Sequence, residues 1–108
     1  MSFKSLSVEE AVKLIENDAL IIDVREQSEF EQTHLNNAIL VPLSTISAEK
    51  IQDINPDNKK ILIHCRSGKR SKVAANILLS QNYPGEILEL DEGIIAWIES
   101  DQPVISNI

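Results

Sequence analysis

The sequence holds one cysteine, Cys65, so no intramolecular disulfide can form and the fold rests on its core. Histidine is almost as scarce, with only His34 and His64. A Cys-based metal site would need those histidines or carboxylates as partners. His64 directly precedes Cys65, and on a strand adjacent side chains point to opposite faces, so no metal site is expected. Phe3, Phe30, Tyr83 and Trp97 are the only aromatics, too few for a base-stacking platform. Basic residues are in deficit, 10 Lys plus Arg against 17 Asp plus Glu, for a formal net charge of -7. That balance argues against nucleic-acid binding and against anionic membrane surfaces. No apolar run approaches the ~20 residues of a membrane span. The opening Met1-Ser2-Phe3-Lys4-Ser5 carries no signal-peptide stretch, so a cytoplasmic location is expected. Internal repeats, low-complexity tracts and long linkers are also missing.

What remains is a globular composition, 43% apolar and 25% charged over 108 residues. A chain of this length makes one domain and buries roughly 65% of its unfolded surface. The reading is therefore a single domain over 1–108, with its core in about 3–102 and a loosely held tail after Pro103. Short strands alternate with short helices. Ser7-Val8-Glu9-Glu10 is a capping box that opens a helix, with Val8, Ala11, Val12, Leu14 and Ile15 at helical spacing. Leu20-Ile21-Ile22-Asp23-Val24 reads as a strand covered on both faces. A short polar helix over 26–32 turns Phe30 inward. Ile39-Leu40-Val41 is a second strand, stopped by Pro42, and residues 47–54 form another helix. Lys60-Ile61-Leu62-Ile63-His64 is a strand running into Cys65, and a helix begins near Ser71. Ile87-Leu88-Glu89-Leu90 is the last strand, followed by a helix over 94–99 that holds Trp97 in the core. This alternation predicts an α/β fold, a mostly parallel open sheet with helices on both faces. Ligands bind such sheets beyond the carboxyl ends of the strands, which is where Cys65 falls.

The stretch Cys65-Arg66-Ser67-Gly68-Lys69-Arg70-Ser71 carries the chemistry. A strand delivers the cysteine, a compact loop follows, and a helix starts behind it. Backbone N–H groups in such a loop form an anion nest, and the helix N-terminus adds about half a positive charge. Arg66, Lys69 and Arg70 set three of the chain's 10 basic residues beside its only cysteine. All of these features favour thiolate over thiol. A lone cysteine is otherwise an inert small hydrophobe.

With that loop in view, the chain resembles a single-domain rhodanese, a thiosulfate sulfurtransferase-like domain. Leu20-Ile21-Ile22-Asp23-Val24-Arg25-Glu26 with Glu29-Phe30 is similar to the family's amino-terminal signature. His34-Leu35 and Ala38, leading to Pro42-Leu43, resemble its next block. Residues Cys65 to Ser71 match its active-site loop, and Leu90-Asp91-Glu92-Gly93 with Ala96-Trp97 resemble its carboxyl-terminal block. The resemblance implies that Cys65 is the nucleophile that carries sulfane sulfur as a persulfide. It implies that the amides from Arg66 through Ser67, Gly68 and Lys69 to Arg70 hold the bound anion. Lys69 and Arg70 would attract a charged donor, while Asp23 and Arg25 would be structural, tying loops beneath the site. His34 would be a satisfied structural histidine rather than a base. The donors implied are thiosulfate or a persulfide, and the acceptors cyanide or a thiol, including a thiol on a protein, with no cofactor. Thr33 and Asn37 stand where the family usually has Gly, and Glu92 replaces the first glycine of a common pair. Asn tolerates positive φ and Thr does not, so the turn at Thr33 is expected to differ.

Two other readings compete. Phosphatase and arsenate-reductase loops place five residues between Cys and Arg, but here Arg70 comes one position early. The other is a regulatory rhodanese-like binding module, or a carrier that works only with protein partners. Modules of that kind have lost the cysteine that this chain keeps.

Overall fold

The computed structural model describes residues 2–106. Its elements run β1 (Lys4–Leu6), α1 (Val8–Glu16), β2 (Leu20–Asp23), α2 (Gln27–Gln32), β3 (Thr33–His34), β4 (Ile39–Leu40), a 3-10 turn (Leu43–Thr45), α3 (Ala48–Ile54), β5 (Ile61–His64), α4 (Lys69–Ser80), β6 (Ile87–Leu90), α5 (Gly93–Glu99) and β7 (Ile105–Ser106). Five strands form one sheet in the order β1-β6-β5-β2-β4. All its pairings are parallel. The sheet is therefore the parallel, helix-covered one that the alternating pattern predicts, and β5, which leads into Cys65, is its central strand.

Each face carries its own apolar core. Ile22, Val24, Ile61, Ile63, Cys65 and Ile87 project to one side, where Ala48 and Ile51 of α3 and Ala74, Ala75 and Leu78 of α4 cover them. Ile21, Leu62, Leu88 and Leu90 project to the other, under Ala11 of α1 and Ile94 and Trp97 of α5. Strands buried on both faces need apolar residues at nearly every position, as in Leu20-Ile21-Ile22 of β2 and Ile61-Leu62-Ile63 of β5, while β6 breaks its run only at Glu89. The Ser7 capping box is present, with Glu10 N donating to Ser7 Oγ at 3.2 Å and Ser7 N to Glu10 Oε1 at 3.0 Å.

Several details depart from the sequence reading. β1 went unrecognised, because Leu6 is the only apolar residue in its three. α4 begins at Lys69, two residues before the expected Ser71, with Gly68 as its N-cap. Phe30 is only half-buried, and its ring stacks on that of His34 with centroids 4.1 Å apart. Thr33 lies in extended backbone, φ -157°, which suits a β-branched residue, and Asn37 takes the positive φ of 67°. The tail expected to be loosely held makes defined contacts as far as Ser106. Trp97 Nε1 donates to the Pro103 carbonyl at 2.9 Å, and β7 pairs antiparallel with β3. Among the described residues, no helix is long and apolar enough to cross a membrane.

Candidate functional site

β5 ends at His64, and its alternation separates the next two side chains. His64 joins the α1/α5 side, where its Nε2 lies 3.5 Å from Asp23 Oδ2, while Cys65 turns toward α4. Burial holds the His64 pKa below its usual value, more strongly than the nearby Asp23 charge raises it, so the ring is neutral at pH 7. Asp23 and Arg25 form a buried clamp. Arg25 Nη2 donates to Asp23 Oδ2 at 2.8 Å and to the Thr33 carbonyl at 2.6 Å, and the Arg25 amide donates to Asp23 Oδ1 at 2.9 Å. The clamp joins the end of β2 to β3. His34 is satisfied locally, its Nδ1 lying 2.9 Å from the Phe30 carbonyl.

Cys65 is 1% exposed, and its sulfur sits in the mouth of the loop. The Gly68 amide donates to Sγ at 3.1 Å and the Ser71 amide at 3.4 Å. Ser71 is the third residue of α4, so its N–H is one of the donors that a helix start leaves without an intrahelical partner. Two buried amides and the positive end of a 12-residue helix thus converge on one sulfur. Gly68 makes this possible with φ 101°, a region closed to most L-residues, and a Cβ there would fall on the Asp91 carbonyl. From the other side, α5 clamps the loop backbone. Ile94 N donates to the Cys65 carbonyl at 2.9 Å, and Ile95 N to that of Arg66 at 3.2 Å.

The three loop cations differ in their surroundings. Arg66 and Lys69 are exposed. Arg70 is engaged by Glu29 of α2, with Nη1 to Oε1 at 2.8 Å and Nη2 to Oε2 at 2.9 Å. The guanidinium pulls the Glu29 carboxyl down to about 2, against the cost of burial and with help from the Glu26 backbone. Its positive charge is therefore shared with an acid that the sequence reading did not place at the site. Glu92 is exposed and borders, with Ser67, Ile95, Ala96 and Glu99, a depression of about 220 Å³ beside the loop, so its charge lies outside the sulfur cradle.

Behind the sulfur lies a second group that the sequence reading missed. Ser71 Oγ is 3.8 Å from Cys65 Sγ and 2.5 Å from Oε1 of Glu89, a fully buried carboxyl on β6. Lys72 Nζ approaches Glu89 Oε2 at 3.3 Å and Asp91 Oδ1 at 2.8 Å. Burial works against the Lys72 charge, but its bond to Asp91 and the Glu89 charge outweigh it and raise its pKa. The signal for Glu89 was present in the sequence: a lone charge inside a strand otherwise made of Ile87, Leu88 and Leu90.

The model of the Rhodanese-like domain family matches residues 7–100. A sulfurtransferase of Allochromatium vinosum is 35% identical over 89 residues, which cover 82% of this chain and 80% of that protein. A tRNA uridine(34) hydroxylase of Chlamydia pneumoniae is 34% identical over 91 residues, 79% of this chain but only 28% of its own length. The crystal structure of a thiosulfate sulfurtransferase from Pseudomonas aeruginosa superimposes with a TM-score of 0.87 at 24% identity, covering 98% of this chain and 21% of that one, a likeness of fold. With a family match over most of its length and a relative of almost matching extent, the chain belongs to the Rhodanese-like domain family.

Proposed function

We propose that the protein is a sulfurtransferase that carries sulfane sulfur on Cys65. The observation that carries this reading is the pair of amides, Gly68 N and Ser71 N, aimed at the buried Sγ. An anion out of water needs such donors, and an inert core cysteine does not. The Cys65 thiolate attacks the outer sulfur of thiosulfate. The Sγ–S bond forms, the S–S bond of thiosulfate breaks, and its electron pair leaves with sulfite. The Cys65 persulfide anion then meets cyanide or an acceptor thiolate, which takes the terminal sulfur as the Sγ–S bond returns its pair to Sγ. Charge balances in both steps, and no external oxidant or cofactor is needed. A cysteine 1% exposed selects donors that present sulfur at an unhindered tip, as thiosulfate and a protein persulfide do.

In this reading Cys65 is the nucleophile. The loop from Arg66 through Ser67, Gly68 and Lys69 to Arg70, extended to Ser71, binds the anion and the persulfide. Asp23 and Arg25 hold the backbone under it. The deciding experiment is mass spectrometry of the intact protein. Incubation with thiosulfate should add one sulfur atom, which cyanide or dithiothreitol should remove, and Cys65→Ser should show neither change. A wild-type mass that moves with no sulfane donor would refute the proposal.

A further inference from the structure

Glu89 is fully buried beside the anion site, an expensive place for a carboxyl; among the described residues its Oε2 has no hydrogen-bond partner, although Lys72 Nζ lies 3.3 Å from it and donates to Oε1 at 3.5 Å. Oε1 is also 2.5 Å from Ser71 Oγ, within the range of an O–H···O⁻ bond. The same hydroxyl lies 3.8 Å from Cys65 Sγ, with the sulfur placed to donate. The row Cys65–Ser71–Glu89 is thus continuous, and none of its members is exposed. The Gly68 carbonyl, 3.0 Å from Ser71 Oγ, is the competing acceptor, neutral and farther than Glu89.

We infer that Cys65 and Glu89 share one proton through the Ser71 hydroxyl, which makes Glu89 and Ser71 positioning residues for the sulfur chemistry. The inference deepens the sulfurtransferase reading and takes Cys65 as its nucleophile from there. In the resting form the Cys65 thiol donates to Ser71 Oγ, and Ser71 Oγ–H donates to the Glu89 carboxylate. In the reactive form the S–H proton has passed to Ser71 Oγ while the Ser71 proton has passed to Glu89 Oε1. The thiolate then accepts from the Gly68 and Ser71 amides and from the Ser71 hydroxyl. Two protons each move one place, so the buried site keeps one negative charge throughout. When the persulfide returns its sulfur, the shared proton is available to the departing thiolate. The charged groups that face the pair are Lys72 of α4, which balances Glu89, Asp91 beyond β6, which holds Lys72, and Arg70 on the sulfur side. From β1, Ser5 sits opposite Glu89 and carries no charge.

The test is the rate of Cys65 alkylation by iodoacetamide as a function of pH, which reads the thiolate without any sulfur donor. Two coupled groups lose their protons in two macroscopic steps. The wild-type protein should therefore show a first rise, a plateau in which the thiolate is only partly populated, and a second rise. Glu89→Gln keeps the size of the side chain and removes the second site, so its profile should become a single step. A single step in the wild-type protein, or two steps that persist in Glu89→Gln, would overturn the relay. The wild-type profile alone decides if the variant does not fold. Because the intact-mass experiment is separate, a protein that takes no sulfur yet alkylates in two steps keeps the shared proton and loses the transferase reading.

Discussion

Arg70 and Glu29, 41 residues apart in the chain, meet through two parallel hydrogen bonds of 2.8 Å and 2.9 Å. The pair ties the cysteine loop to α2 and masks the loop's one half-buried guanidinium. Cys65 ranks behind Glu29 among the groups that raise the Arg70 pKa, so Arg70 lies within electrostatic reach of the sulfur.

Unmasking Arg70 should favour a doubly charged donor. Glu29→Gln is expected to lower the KM for thiosulfate about fivefold, the worth of ~1 kcal/mol for one exposed charge interaction. Arg70→Ala leaves Glu29 uncompensated and should raise the KM by a similar factor. Initial rates at low and high salt provide the check, since added salt screens both effects. A KM that is the same in all three proteins would mean that the donor never meets this field.

The same pair sets an acid limit on stability. The Glu29 carboxyl titrates near 2 in the folded protein against an ordinary 4.5, so the unfolded chain binds its proton first. Its contribution is complete above about 4.5 and is lost as pH falls through about 2. The difference in urea midpoint between wild type and Glu29→Gln should stay level from neutrality down to that upper value, then close as the medium is acidified. A difference that widens with acid would reverse the assigned sign.

Phosphate esters should not be substrates. Both amides that reach Sγ are used at 3.1 Å and 3.4 Å on the sulfur itself, and Arg70 is turned to Glu29 rather than free to grip phosphoryl oxygens. A transition-state donor misplaced by ~1 Å can cost roughly 10²-fold in rate. Turnover of para-nitrophenyl phosphate is expected to equal that of Cys65→Ser. Cysteine-dependent hydrolysis in the wild-type protein would show that the loop opens to hold a larger anion.

Gly68 should tolerate no side chain. Its φ of 101° and the Asp91 carbonyl both stand against a Cβ. Gly68→Ala is expected to lose at least ~2 kcal/mol of unfolding free energy and most sulfur transfer, because the displaced amide is one of the two on the sulfur. Denaturant melts and initial rates measure the two losses. An alanine variant with wild-type stability would contradict the packing described for this turn.

The sheet was legible because buried strands announce themselves: β2, β5 and β6 are almost wholly apolar, and each is followed by a helical pattern. The cysteine loop was legible because its residues are contiguous. What could not be read is nonlocal. Nothing near Arg70 in the chain points to Glu29, and nothing near Thr33 announces a pairing with Ser106. The start of α4 was set two residues late because the N-cap is a glycine in a left-handed conformation, with no Ser, Thr, Asp or Asn side chain to mark it. Glu89 stands out as a lone charge, but its partner Ser71 lies 18 residues away on another element.

The order β1-β6-β5-β2-β4 also bears on how the protein is made. The earliest described strand, Lys4–Leu6, has its partner in Ile87–Leu90, so it stays unpaired until that later segment has been synthesised. The cysteine emerges well before the residues that shape its surroundings: the Asp91 carbonyl over Gly68 and the Ile94 and Ile95 amides on the loop backbone. During that interval Cys65 is an unprotected thiol on a growing chain. Its enclosure depends on Asp91, Ile94 and Ile95, which all follow it in the chain.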